Sequence, residues 1–134
     1  MIGGMDITTV SALVFAATAA GVVAFQIGLA LGAPWGAYAM GGAFPGRYPP
    51  PMRVAAIVQA VIIAFIALAV LSAAGVVMPN LAIAFPWLIW VVVAFSALAV
   101  VLNAISRSAG ERRIWVPVAV ILLLSSLVVA LTAP

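Results

Sequence analysis

The side chains in this sequence that could do chemistry are few, and they gather at one end of its apolar segments. Three are amides, Gln26, Gln59 and Asn103, and near them come the Trp35 indole, the Arg53 and Arg112 guanidiniums and the Glu111 carboxylate. Groups of this kind bind rather than react. Amides fix the orientation of a polar group, and an arginine supplies the charge that meets a phosphate or carboxylate headgroup. Gln26, Trp35, Arg53, Gln59, Asn103, Glu111 and Arg112 therefore form a candidate ligand-binding set. The plainer and commoner use of such residues is structural. Amides hydrogen-bond between helices, worth roughly 0.6 to 2 kcal/mol each, and arginines meet anionic lipid headgroups.

Catalysis lacks its usual parts. The chain has no histidine and no cysteine. That removes the commonest general base, the usual ligands of haem, zinc or copper, and every disulfide or thiolate. Its two carboxylates, Asp6 and Glu111, are far apart in sequence. Ser125 and Ser126 read as helix-bonded hydroxyls rather than nucleophiles. The expectation is a protein that is not an enzyme and holds no cofactor and no metal. A proton-coupled exporter would normally place a carboxylate inside its first span, and this first span offers only Gln26. Glu111 reads as part of a loop, among arginines.

The elements that position these residues follow from hydropathy. The composition is 69% hydrophobic and 5% charged, with mean hydropathy +1.44. No charge occurs between Asp6 and Arg47, between Arg53 and Arg107, or after Arg113. Each gap exceeds the ~20 apolar residues that cross a hydrocarbon core as a helix. The spacing predicts spans over residues 8–31, 54–77, 81–104 and 114–131, in one domain covering 1–134. The fold class expected is all-α, an integral membrane four-helix up-down bundle with an interfacial Gly/Pro-rich connector between helices 1 and 2. Met78-Pro79-Asn80 is the turn between the second and third spans. Pro86 kinks the third span or marks its true start, and Pro117 falls in the first turn of the fourth.

All five basic residues are arginines in the first and third connectors. The positive-inside rule puts those connectors in the cytoplasm and both termini outside, in a multi-pass protein of a bacterial cytoplasmic (inner) membrane. The pI near 10.8 reflects this topology and not nucleic-acid binding. The N-terminal segment, with Asp6 where a signal peptide would carry a basic residue, reads as the start of a retained span. Ala17, Gly21, Ala24 and Gly28, with Gly32 beyond, form a small-residue stripe expected to let another helix of the same chain approach closely. Ala56, Ala60 and Ala64 make a shorter one.

The first connector is the anomaly. Adjacent helices need only about 2 to 8 residues between them, yet residues 32–53 are given to glycines, prolines and the aromatics Trp35, Tyr38 and Tyr48. Pro49-Pro50-Pro51 reads as stiff and extended. Such a segment suits the headgroup layer, as a lid or docking surface over the amide end of the bundle. Its GAPWGAYAMGG stretch, together with the later NAISRSAGERRIWVPVA, resembles uncharacterised small four-helix bacterial integral membrane proteins with a G-A-P-W-G motif after the first span. That resemblance implies the fold and carries no activity. In the group an acidic residue often follows the second glycine of the motif, where this chain has Ala37. Two functions stand open. The leading one is an accessory subunit or interaction module whose partners are membrane lipids and a membrane protein. The other is a binder or transporter of a lipid-like or small amphiphilic molecule through a cytoplasmic-side polar pocket.

Overall fold

Each helix begins and ends for a local reason. The computed structural model describes residues 6–133. Helix α1, Ile7–Ala30, starts where the Asp6 side chain accepts the Thr9 N–H at 2.8 Å. It ends in a Schellman motif, with Ala33 N–H donating to Gly28 O at 2.9 Å and Gly32 N–H to Leu29 O at 3.2 Å. That closure needs a left-handed residue, and Gly32 supplies it at φ 97°. Helix α2, Pro50–Ala73, opens on prolines in its first turn, where a missing N–H has no partner to lose. Only Pro49 keeps the extended conformation expected of the whole proline run. A second Schellman motif closes α2, with Gly75 at φ 77° and Val76 N–H donating to Leu71 O at 2.9 Å.

The third apolar run departs from expectation. It is two helices, α3 (Pro79–Ala84) and α4 (Leu88–Ala104), broken at Phe85-Pro86-Trp87. Pro86 has no N–H to continue the ladder, and the residue before a proline is pushed out of the helical region. Phe85 accordingly sits at φ −130°, ψ 68°. The Ser72 hydroxyl ties α3 down, donating to Met78 O at 2.7 Å and accepting the Ala82 N–H at 3.0 Å. Helix α5, Ala109–Thr132, begins about one turn earlier than residue 114, which leaves Pro117 in its interior rather than its first turn. Three helices, α1, α2 and α5, are long and apolar enough to cross a membrane, and α4 is a shorter apolar helix. Among the described residues there is no strand.

Helix α1 packs against α2 on one side and α5 on the other, α5 packs against α4, and α2 meets α4 only sparsely. The main core joins Ala12, Phe15 and Ala19 of α1 to Ala69, Val70, Ile89, Val92 and Val129. Small and hydroxylic side chains fill the interior, with Ser72, Ser96, Ser125 and Ser126 buried beside the alanines. Large aliphatics and aromatics face outward, including Val61, Ile83, Trp87, Phe95, Leu124 and Leu131. The first three residues of the stripe on α1 are not part of the packing. Ala17, Gly21 and Ala24 are exposed, and a Cβ built on Gly21 would meet nothing within 4 Å. The buried face of α1 is instead Thr8, Ser11, Ala12, Phe15, Ala19 and Leu29. On α2, Ala56 and Ala60 are buried and Ala64 is not.

Candidate functional site

The first connector folds back over the start of α5, and four short contacts fasten it there. Two 3-10 turns, Gly36–Tyr38 and Met40–Gly42, carry the chain across. Gly36 N–H donates to Gly46 O at 2.8 Å, and a side chain at Gly36 would collide with the Phe44 carbonyl, so the close approach excludes any residue larger than glycine. Ser108 caps α5 by accepting the Glu111 N–H at 3.1 Å, and its hydroxyl donates to Ala37 O at 2.7 Å. The Trp115 indole N–H donates to Tyr38 O at 2.7 Å. The Tyr38 ring lies flat enough on Gly110 that a Cβ there would sit 2.5 Å from it. Gly41 N–H donates to Glu111 Oε2 at 2.9 Å.

That last bond relocates Glu111. It is not a loop residue among arginines but belongs to the first turn of α5, and it is only 7% exposed. Its side chain does not close the reciprocal capping bond back to the Ser108 N–H, which donates to Ser106 Oγ at 3.1 Å instead. The carboxylate is free to reach the connector.

Beneath the connector lies a cavity of about 420 Å³, within the range of small-molecule sites. Its roof is Tyr38, Met40, Gly41 and Tyr48, and its walls come from α1, α2, α4 and α5. Gln26, Gln59, Asn103 and Glu111 all line it. Gln26 donates to Gln59 Oε1 at 3.2 Å across α1 and α2, and Asn103 donates to Ala99 O of its own helix at 2.7 Å. The rest of the wall is apolar or aromatic, with Phe25, Ile63, Leu98, Trp115 and Leu122 prominent.

Three residues of the candidate set stand elsewhere. Trp35 stacks on Phe25 with ring centroids 5.7 Å apart and covers Gly28, so it braces the connector from outside the cavity. Arg53 turns its guanidinium over Gly32 and donates from Nε to Tyr48 O at 2.8 Å. Arg112 donates to Ser106 O. Each arginine donates to a backbone carbonyl and neither lines the cavity, so neither places its charge against an occupant there.

Sequence reasoning passed over Phe25, Tyr48, Met52 and Trp115 as cavity residues. A signal for Glu111 was present: Ser108 followed three residues later by Glu111, before an apolar run, is a helix-start signature. Tyr48 is 3% exposed, and burial, with the Glu111 charge adding to it, pushes its hydroxyl pKa above the ordinary 10.0. The phenol therefore stays neutral under any physiological condition. No protein-family model, curated protein or solved structure matches the chain.

Proposed function

We propose that this chain is a membrane-embedded four-helix bundle that binds a small amphiphile in the cavity beneath its first connector. The inside-out distribution supports the membrane setting. Bulky apolar side chains cover the outside, while alanine and serine fill the inside, which is the arrangement lipid favours and water does not. In this reading α3 and α4 together make the fourth crossing. Alone, the 17 residues of α4 reach about 26 Å, short of the ~30 Å core. The first connector is bonded to the start of α5, so the arginine-bearing connectors share one end of the bundle. The positive-inside rule makes that end cytoplasmic, in a bacterial inner membrane.

The observation that carries the function is the cavity itself. Of the two readings open in the sequence, an accessory subunit needs no interior space, whereas a binder does. This cavity is mostly apolar with polar groups converging at one end, which is how an amphiphile is recognised. Binding is the whole activity: the wall offers no histidine, thiol or paired carboxylates for chemistry. Native mass spectrometry of the gently extracted protein tests this. The expected result is a retained amphiphile that Ala99→Phe, which fills the cavity, expels while the helix content holds. A co-purifying protein partner with an empty cavity returns the accessory-subunit reading to first place, and bare protein throughout counts against both.

A further inference from the structure

The cavity wall carries one formal charge, and it is negative. Glu111 is the only ionisable carboxylate or guanidinium group lining the space, since Arg53 and Arg112 are engaged with carbonyls outside it. We infer, resting on the cavity-binding reading above, that the occupant is a single-chain amphiphile with an alkylated ammonium head, which enters sideways between α2 and α4 and seats that head against Glu111.

The head is argued from what surrounds the carboxylate. One Glu111 oxygen accepts the Gly41 N–H, and the other makes no hydrogen bond among the described residues while its side chain borders the cavity. That second oxygen is left for a partner in the cavity, and a cation beside a carboxylate is the partner that stabilises it most. The same cavity is lined by five aromatic side chains, Phe25, Tyr38, Tyr48 and Trp115 together with Phe95 of α4. Trp115 follows Glu111 by one turn of α5, so the two share a helix face. Its indole N–H is already engaged with Tyr38 O, leaving ring surface as what it offers the cavity. Phe25 meets Trp115 edge to face at 4.7 Å. Aromatic faces with an adjacent carboxylate attract an alkylated ammonium, whose methyl groups need no hydrogen-bond acceptors. An anionic head in the same place would face Glu111 with no arginine to offset it.

The route is argued from exposure. Gln59 of α2 and Phe95, Leu98 and Leu102 of α4 line the cavity and are exposed, so the cavity is open along them. They flank the seam where α2 and α4 meet only sparsely. A cavity that opens along its side, between two apolar helices, admits a chain from the bilayer and not from water. The wall along this seam and behind it, Ile63, Leu98 and Leu122 among others, is suited to an alkyl tail.

Three amphiphiles of equal chain length separate the alternatives: dodecyltrimethylammonium, dodecyl maltoside and dodecyl phosphate, titrated below their micellar concentrations onto the full chain in amphipol, with native mass spectrometry as the readout. The expected result is a ranking with the ammonium tightest, and about a tenfold weakening of that ligand alone in Glu111→Gln. Glutamine keeps an acceptor for the Gly41 N–H, so the connector should stay docked. Equal binding of all three, unaffected by Glu111→Gln, overturns the ammonium assignment while leaving the cavity a binding site. Tightest binding of the phosphate overturns it outright. Binding of none overturns the assignment and the cavity-binding reading together. The ranking on the unaltered protein decides the matter even if Glu111→Gln does not fold.

Discussion

The two ends of this bundle are built on opposite terms. At the end where α1 starts and α5 finishes, Ala12 and Val70 have no exposed surface, Phe15 is 1% exposed, and alanine and serine are prominent where the helices close on one another. Thr8 and Thr132 share a hydrogen bond of 2.6 Å there, pinning the start of α1 to the end of α5. At the connector end the core shrinks to Leu29, Tyr48 and Ala56, and the helices surround a cavity of about 420 Å³. Close packing is the ordinary state of a protein interior. A smaller space of about 220 Å³, lined by Ala73, Phe85, Trp90 and Ala133 among others, lies near the far end, but no amide or charged side chain lines it, whereas the connector end places amides, a carboxylate and a separate roof around its cavity. The connector end is where the fold leaves room for a small molecule.

The comparison breaks most severely at the roof. Gly36→Ala drives a methyl group into the Phe44 carbonyl, which only a rearranged connector relieves. A loss of about 3 kcal/mol is expected, seen as a lowered melting temperature and a connector newly open to protease. Next comes enlargement of an alanine at each end. Ala12→Leu should cost about 1–3 kcal/mol because nothing around it can yield, whereas Ala99→Leu grows into empty volume and should cost well under 1 kcal/mol. Equal costs would mean that the cavity is not a stable feature of the fold. Trp115→Phe removes the indole bond to Tyr38 O and should lose about 1 kcal/mol, read as faster hydrogen exchange in residues 36–42.

The smallest effects concern single groups. Because the Tyr48 hydroxyl titrates above its usual 10.0 when folded, its contribution is fully present below that pH and is lost as the pH rises through the folded value. Unfolding measured from pH 9 to 11 should show an alkaline loss of stability that Tyr48→Phe reduces. Gly21→Leu should leave stability nearly unchanged, because the position faces outward. Finally, cysteines placed singly at Ala109 and Asn80, both exposed, report orientation. The account expects impermeant thiol reagents on intact cells to label Asn80→Cys and spare Ala109→Cys.

What the sequence made legible was set by lengths and punctuation. The apolar runs marked α1, α2 and α5, and Met78-Pro79-Asn80 marked the turn after α2. Pro86 carried a hint of the break between α3 and α4, but proline permits both a kink and a stop, and only the packing of α3 on α2 through Ser72 chose the stop. The small-residue stripe misled because periodicity says that a close approach is feasible, not which face of the helix is covered. Gly28 and Gly32 do receive close neighbours, yet these are the Trp35 ring and the Arg53 guanidinium rather than another helix. For the site, the gathering of Gln26, Gln59 and Asn103 at one end was readable from their positions. The place of Glu111 is hard to read because a cluster of charges marks a loop as readily as a helix start, whereas Ser108 starts α5 early enough to carry the carboxylate into the cavity wall. The directions of Arg53 and Arg112 depended on carbonyls whose positions no spacing reveals.

The central claim, that the space under the connector holds an amphiphile, is tested most directly by photolabelling in the native membrane. A dodecyl amine carrying a diazirine on its tail would be activated in vesicles containing the full chain, and the labelled peptides mapped by mass spectrometry. The account predicts labels concentrated on the cavity wall, at residues such as Val22, Ile63, Val118 and Leu122, and their loss when unlabelled dodecyltrimethylammonium competes. Labels spread over outward-facing residues such as Val61, Ile83 and Leu124, unchanged by the competitor, would contradict it.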